Sequence, residues 1–283
     1  MTSPRIMLKA WNLRPQKRLG QNFLSDSNIA QRIVESAKVE AQDVVLEIGA
    51  GLGALTIPIA KRAAKVFAVE KDRNLARLLR TELTATGIVN VDLLEQDVRH
   101  LNVQDLGLAT GRKIVVMGNL PYNLSSQILV QLIDARRFIS RAILMFQKEL
   151  AQRIVAQPGG RDYGRIGVML QYCAAVTTLF DVKATHFYPR PQVDSLVLEV
   201  RFGANNENPA VDEALLFRVI KAAFSKRRKT LKNALAASEL SIDAHQADTA
   251  LQQSGIDPVR RAETLSVPEF VVLSNYLSHV LGN

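Results

Sequence analysis

Five short apolar runs recur along the first half of the chain, and each closes on or next to a glycine, an amide or an acid: VVLEIG (44–49), KVFAVEKD (65–72), VDLLEQD (91–97), KIVVMGNL (113–120) and RAILMFQKE (141–149). Between them lie stretches with helical spacing, NLARLLRTEL at 74–83 among them. A strand covered on both faces reads as a continuous apolar run. Strand, helix, strand in steps of this size means a parallel sheet with helices on both sides. Two further runs, TTLFDVKA (177–184) and DSLVLEVRF (194–202), sit close together without a long helix between them and read as an antiparallel pair added at one edge. The fold expected is α/β, a Rossmann-like sheet of seven strands.

A stretch rich in Gly, Asn and Pro, GANNENPAVDE (203–213), reads as a linker. Beyond it everything has helical spacing, including PEFVVLSNYLSHVLG with Pro268 at its start. The expected organisation is a sheet domain over 1–202 with a basic N-terminal segment 1–24, a linker at 203–213, and a small all-helical domain over 214–283.

Charge narrows the partners. Lys and Arg number 36 against 27 Asp and Glu, a net charge of +9, and the isoelectric point is near 9.8. That excess suits a polyanionic partner. It is concentrated in an N-terminal group that includes Arg14, Lys17 and Arg18, and in KAAFSKRRKTLK (221–232), which carries Lys226, Arg227, Arg228, Lys229 and Lys232. One such cluster is as readily a solvated helix face; two in one basic chain favour nucleic acid, with phosphate contacts giving affinity and little specificity. The single cysteine, Cys173, excludes a disulfide framework and a cysteine-rich zinc site, and the four histidines show no metal-ligand spacing. No apolar leader and no long uncharged apolar run is present, so a cytoplasmic protein without a membrane span is expected.

The first apolar run leads into LEIGAGLGALT (46–56), with Gly49, Gly51 and Gly53 where a strand must turn into a helix. Glycines there let the backbone turn sharply and approach a ligand closely. About 20 residues on, the second run ends in Glu70, a carboxylate able to accept both hydroxyls of a ribose. The third ends in Asp97, which can accept from an exocyclic adenine amine. Each acid alone could be a surface residue at a strand end. The ordered set at successive strand ends is where open parallel sheets bind ligands. A G-x-G-x-G turn with ribose and adenine positions fits S-adenosylmethionine better than NAD.

The fourth run ends in NLPYNLSSQIL (119–129). Pro and Asn make turns, but the tetrapeptide also holds what a flat amine-bearing ring requires. The Asn119 side-chain oxygen and a backbone carbonyl in the Leu120–Pro121 turn can accept the two N–H bonds of an exocyclic amine and favour its move toward tetrahedral geometry. This is positioning and electrostatic preorganisation for in-line displacement on a methyl group. Tyr122 can stack on the base, a contact worth about 1–3 kcal/mol. Phe187, in the F-x-P-x-P frame of HFYPRPQVDS (186–195), is a candidate second ring, with loop packing as the alternative.

Taken together, RPQKRLGQNFL (14–24), EIGAGLG (47–53), VEKD (69–72), QDV (96–98), NLPYNLSS (119–126), FYPRPQVDS (187–195) and FSKRRKTLKNAL (224–235) resemble the ribosomal RNA adenine N6,N6-dimethyltransferases over nearly the full length. Within that family they resemble the enzymes that dimethylate two adjacent adenines near the 3′ end of 16S RNA. The resemblance implies that Asn22 and Leu24 touch the cofactor, Gly49 its methionine end, Glu70 its ribose, Asp97 its adenine, and Asn119 both cofactor and target. It also implies the small ribosomal subunit as partner and a part in its assembly; with the ribosome itself as partner, a monomer is expected. The alternatives are a 23S RNA methyltransferase of the macrolide-resistance type, a catalytically silent assembly or transcription factor on the same fold, and a DNA or protein N-methyltransferase.

Overall fold

The computed structural model describes residues 2–203, 209–226 and 228–281. By its contacts the chain forms two units: the first runs to Ala151 and resumes at Ala175–Gly203, and the second holds Gln152–Ala174 and the described residues after Gly203.

The first unit is built on nine strands: β1 (Phe23–Leu24), β2 (Val44–Ile48), β3 (Lys65–Val69), β4 (Val91–Leu94), β5 (Ile114–Asn119), β6 (Ile139–Gln147), β7 (Ala174–Val182, whose first residue falls in the second unit), β8 (Phe187–Tyr188) and β9 (Ser195–Phe202). Seven of them make one sheet in the order β4-β3-β2-β5-β6-β9-β7. Pairs β2–β3, β3–β4, β2–β5 and β5–β6 are parallel, and β9 runs antiparallel to β6. The edge pair anticipated from the two late runs is present, with the later strand lying inside the earlier one. β1 and β8 form a separate antiparallel ribbon, Phe23 opposite Tyr188 and Leu24 opposite Phe187.

β2 and the central residues of β5 are fully buried, as expected for strands covered on both faces. The helix Arg73–Ala85 turns Leu75, Ala76, Leu78, Leu79 and Leu83 inward and starts at Asp72, whose carboxylate accepts from the Asn74 N–H. The helix Ser27–Ser36 starts at Asp26, which accepts from Asn28 and Ile29. Of the two candidate caps there, Ser25 is occupied elsewhere: both its N–H and its hydroxyl donate to the His186 carbonyl.

The second unit is helical, with Glu213–Ala223, Leu231–Ala236, Ala244–Gln253 and Val267–Leu281 after the linker. It also takes in Gln152–Ala174, which the run of apolar segments had placed with the sheet domain. Aromatic packing explains the difference. Tyr172 meets Phe217 edge-on at 6.0 Å and Tyr163 meets Phe224 at 6.3 Å, contacts worth about 0.5–1.5 kcal/mol each beyond the area they bury. The Gly159 N–H donates to the Glu263 carbonyl at 2.7 Å. Such pairings are long-range and leave no local trace in the sequence. Cys173 is buried in this unit.

Candidate active site

The chain leaves β2 toward β3 on one side and returns through β5 on the other, so the C-terminal ends of β2 and β5 part at a topological switch point. Open α/β sheets bind ligands at such points. A cleft of about 240 Å³ opens here, walled by the loops after β2, β3, β4 and β5 and by residues 18–24 of the N-terminal segment. All of this lies within the first unit.

The glycine loop is stitched to the end of β3. Gly49 and Ala50 both donate to the Val69 carbonyl at 3.0 Å, and the Gly51 N–H donates to Glu70 Oε2 at 2.8 Å. Gly49 (φ +79°) and Gly51 (φ +54°) hold left-handed backbone, where a side chain would be strained. Glu70 Oε1 accepts from the Asp72 N–H at 2.8 Å. Burial pushes this carboxyl up, and the two N–H bonds oppose the shift.

Asp97 follows β4. Arg99 and Lys71 reach its Oδ2, each at 2.7 Å, and Arg99 Nε and the Arg99 N–H reach Oδ1. The Arg99 guanidinium, then Lys71, holds this carboxyl well below the usual range. These cations favour the ionised carboxylate, which can only accept hydrogen bonds. That suits an exocyclic amine and rejects a ring carbonyl.

Asn119 closes β5. Its side-chain N–H donates to the Asn22 carbonyl at 2.9 Å, which fixes the orientation of the amide, and its Oδ1 makes none of the described hydrogen bonds. In the next turn the Pro121 carbonyl accepts from the Leu124 N–H and the Ser125 hydroxyl. The Leu120 carbonyl takes part in neither bond, so it is the acceptor left in the turn that the sequence could not single out. Tyr122 lines the cleft with its hydroxyl 3.1 Å from Ser195 Oγ, and Ser195 is fully buried. The ring is thereby held at its far end with its faces free of that bond.

The N-terminal segment is latched across the cleft. Gln16 and Gln21 both donate to Asp72 Oδ2, at 2.7 and 2.9 Å, and the Gln16 N–H donates to Gln21 Oε1. Asn22 and Leu24 both line the cleft. Asp26 and His186 Nδ1, 2.8 Å apart, tie the end of this segment to the ribbon.

Phe187 does not line the cleft. It is 4% exposed and packs in the apolar cluster that includes Leu24, Phe180 and Val182. This departs from its expected place against the base. The β1–β8 ribbon turns the ring inward, and burial of such a ring is worth about 1.5–3 kcal/mol. Phe23 and Tyr122 are the residues that bring rings to the cleft wall. Among the basic candidates, Arg14, Lys17, Arg18, Lys226, Arg228 and Lys229 are exposed. Lys232 is half-buried and paired with Asp248 at 3.0 Å, and Arg227 lies outside the described residues.

One residue of the site escaped the sequence reading. Glu47 is 1% exposed, lines the cleft, and its Oε2 has no hydrogen-bond partner. Its carboxyl is pushed up to about 8, chiefly by burial, with the charge of Glu70 adding and contacts to Thr56 opposing. The signal was present: it is the one acid inside the apolar run VVLEI. A raised carboxyl pKa means that the unfolded chain ionises first. Wild-type stability is therefore lost progressively from about pH 4.5 to about pH 8, and the full penalty stands above that. Glu47→Gln is expected to melt at the wild-type temperature near pH 4 and above it at pH 8.5, by an amount matching about 1–3 kcal/mol for a buried unsatisfied group. Thermal unfolding at the two pH values checks this; an advantage that does not grow with pH overturns it.

A mostly parallel seven-stranded sheet with its last inner strand reversed, and a cleft at the switch point framed by a glycine turn, two acids and an Asn-Leu-Pro-Tyr turn, is the architecture of the Rossmann-like methyltransferases. Within that class the chain belongs to the ribosomal RNA adenine dimethylase family, whose family description matches residues 12–279. It is 54% identical over 284 residues to a protein named ribosomal RNA small subunit methyltransferase A from Desulforapulum autotrophicum, covering 100% of this chain and 99% of that protein. A protein of the same name from Moorella thermoacetica is 41% identical over 278 residues, with 96% of each covered. Among solved structures it is similar to a dimethyladenosine transferase from Plasmodium falciparum (TM-score 0.73, 25% identity, 89% of this chain and 95% of that one). It is also similar to the 23S rRNA methyltransferase ErmE (TM-score 0.66, 25% identity, 90% and 99%). Among the described residues no helix is long and apolar enough to cross a membrane.

Proposed function

We propose that this protein dimethylates the exocyclic N6 of two adjacent adenines near the 3′ end of 16S ribosomal RNA, with S-adenosylmethionine as donor. The observation that carries the reading is the Asn119 amide, held by the Asn22 carbonyl so that its oxygen is left for a second partner. The identity to relatives named small subunit methyltransferase A supports the small subunit over the 23S alternative.

The residues of the cleft fit the donor. Glu70 would take its ribose hydroxyls and Asp97 its adenine amine. Gly49 and Gly51 leave room for backbone approach, and Asn22 and Leu24 cover it from the latched segment. Glu47, with an unpartnered buried oxygen, suits the ammonium of an amino-acid moiety, whose charge would favour the ionised carboxylate. S-Adenosylmethionine, when bound, supplies an electrophilic methyl group.

The chain's own work is on the target base. Asn119 Oδ1 and the Leu120 carbonyl accept its two amine N–H bonds and draw the nitrogen lone pair out of conjugation. Pro121 stiffens that turn by its fixed φ. Tyr122 stacks on the base and offsets part of the few kcal/mol needed to extract it from a helix. Phe187, paired across the ribbon with Leu24, supports this wall. The exposed Arg14, Lys17, Arg18, Lys226, Arg228 and Lys229 contact phosphates, so binding falls steeply with salt. The helical unit contributes the second set, and Arg227 and Lys232 belong to the same stretch. The protein works as a cytoplasmic monomer, with the small subunit as partner, and its binding there serves assembly as well as modification.

Labelled methyl transfer to small subunits lacking the modification tests the reading. N6,N6-dimethyladenosine in the digested product is the expected result. Transfer to large-subunit RNA alone would give the protein to the 23S type. Binding to small subunits without transfer would make it an assembly factor.

A further inference from the structure

We propose that the N-terminal helix Pro4–Ala10, with Trp11 at its end, is a docking platform for single-stranded RNA on which Trp11 stacks a nucleobase. The inference rests on the RNA reading above and adds a site to it. No acid occurs before Asp26, while Arg5, Lys9, Arg14, Lys17 and Arg18 all do. Arg5 and Lys9 stand four residues apart on one exposed helix face, where like charges repel. Among the described residues neither forms an ion pair. No described acid pairs with these two charges, so the complement of this face is an external anion.

Charge alone would suit any anion; the apolar residues narrow the choice. Trp11 is 42% exposed and Ile6 61%, while Met7 and Leu8 of the same helix are buried in a cluster with Phe23, Leu52 and Leu75. The helix is thus seated on a local core, and Trp11 at its end stays partly exposed beside that core. Aromatic rings interleaved with basic residues are how proteins hold single strands, bases on the rings and phosphates on the cations. Phe23, Leu52 and Leu75 also line the cleft, so the platform stands on the cleft's own wall. Lys17 and Arg18 lead from it to the cleft, which Arg18 lines.

The chain holds one tryptophan, so its intrinsic fluorescence reports on Trp11 alone. A short single-stranded RNA oligonucleotide is expected to quench that emission and shield it from acrylamide, whereas inorganic polyphosphate would bind without quenching. Trp11→Ala should weaken RNA binding by about 5- to 100-fold, the range one stacked base contributes, and Trp11→Phe should restore most of it. Charge reversal of Arg5 and Lys9 should lower the slope of log affinity against log salt by about 1.4 for a single strand, the share of two phosphate contacts. Emission unchanged by RNA, with Trp11→Ala binding as wild type, overturns the platform. Quenching by an acidic protein or by anionic vesicles but not by RNA also overturns it, by giving the face another partner. The underlying reading fails separately, if wild type neither binds nor methylates ribosomal RNA.

Discussion

Asn119→Ala is expected to lower methyl transfer about 10²- to 10³-fold, the usual cost of removing one preorganised hydrogen-bond partner of a transition state. Two bonds are lost at once. The amide no longer accepts from the target amine, and the Asn22 carbonyl loses its donor at 2.9 Å. The second loss loosens the segment that covers the cleft, so donor affinity should fall as well, by a smaller factor. The side chain is part-buried at a strand end, so the melting temperature should stay within a few degrees of wild type. Asn119→Asp should be no better than alanine. It keeps an acceptor but sets a carboxylate against the Asn22 carbonyl, where only a donor belongs. Single-turnover transfer together with donor titration separates the two effects. An Asn119→Ala enzyme with wild-type transfer rates would remove the amide from the mechanism.

Gly118→Ala should fail differently, through the fold. A Cβ at this position would lie 2.5 Å from the Ile48 carbonyl oxygen and 3.4 Å from its carbonyl carbon. Those atoms are backbone of the neighbouring strand and cannot rotate away. β2 and β5 would have to part at the floor of the cleft, where Glu47 pairs with Met117 and Gly49 lies beside the Asn119 carbonyl. Overpacking of this kind costs about 1–3 kcal/mol, and more where backbone must shift. At about 2–4 °C per kcal/mol for a domain of this size, a drop in melting temperature of roughly 2–12 °C is expected, with loss of transfer. Calorimetry beside the transfer assay distinguishes this from Asn119→Ala, which loses activity alone. A Gly118→Ala protein of normal stability and activity would show that the two strands have room to spare.

What was legible came from patterns that are local or evenly spaced. All seven main strands were placed within a few residues, because β-branched runs closed by Gly, Asn or Asp are short-range signals. Glu70, Asp97 and Asn119 could be assigned to one cleft because successive strand ends of a parallel sheet lie side by side. What was not legible depends on contacts between distant segments. The transfer of Gln152–Ala174 to the helical unit rests on Tyr172–Phe217 and Tyr163–Phe224, pairs far apart in sequence. The inward turn of Phe187 follows from its pairing with Leu24, which an F-x-P-x-P frame does not reveal.

The sequence by itself therefore determined the α/β class, the glycine turn, the identity of the acids and the amide at the strand ends, and the two basic clusters, in the N-terminal segment and at 221–232. These depend on residue type and periodicity. The tertiary structure alone decided which atoms are free to act. It turned the Asn119 oxygen loose by binding its nitrogen to Asn22, spent the Pro121 carbonyl on Leu124 and Ser125, left one oxygen of buried Glu47 without a partner, and latched the N-terminal segment through Asp72. The physical reason is that each of these is a hydrogen bond, made or missing, between residues brought together only when the sheet is assembled.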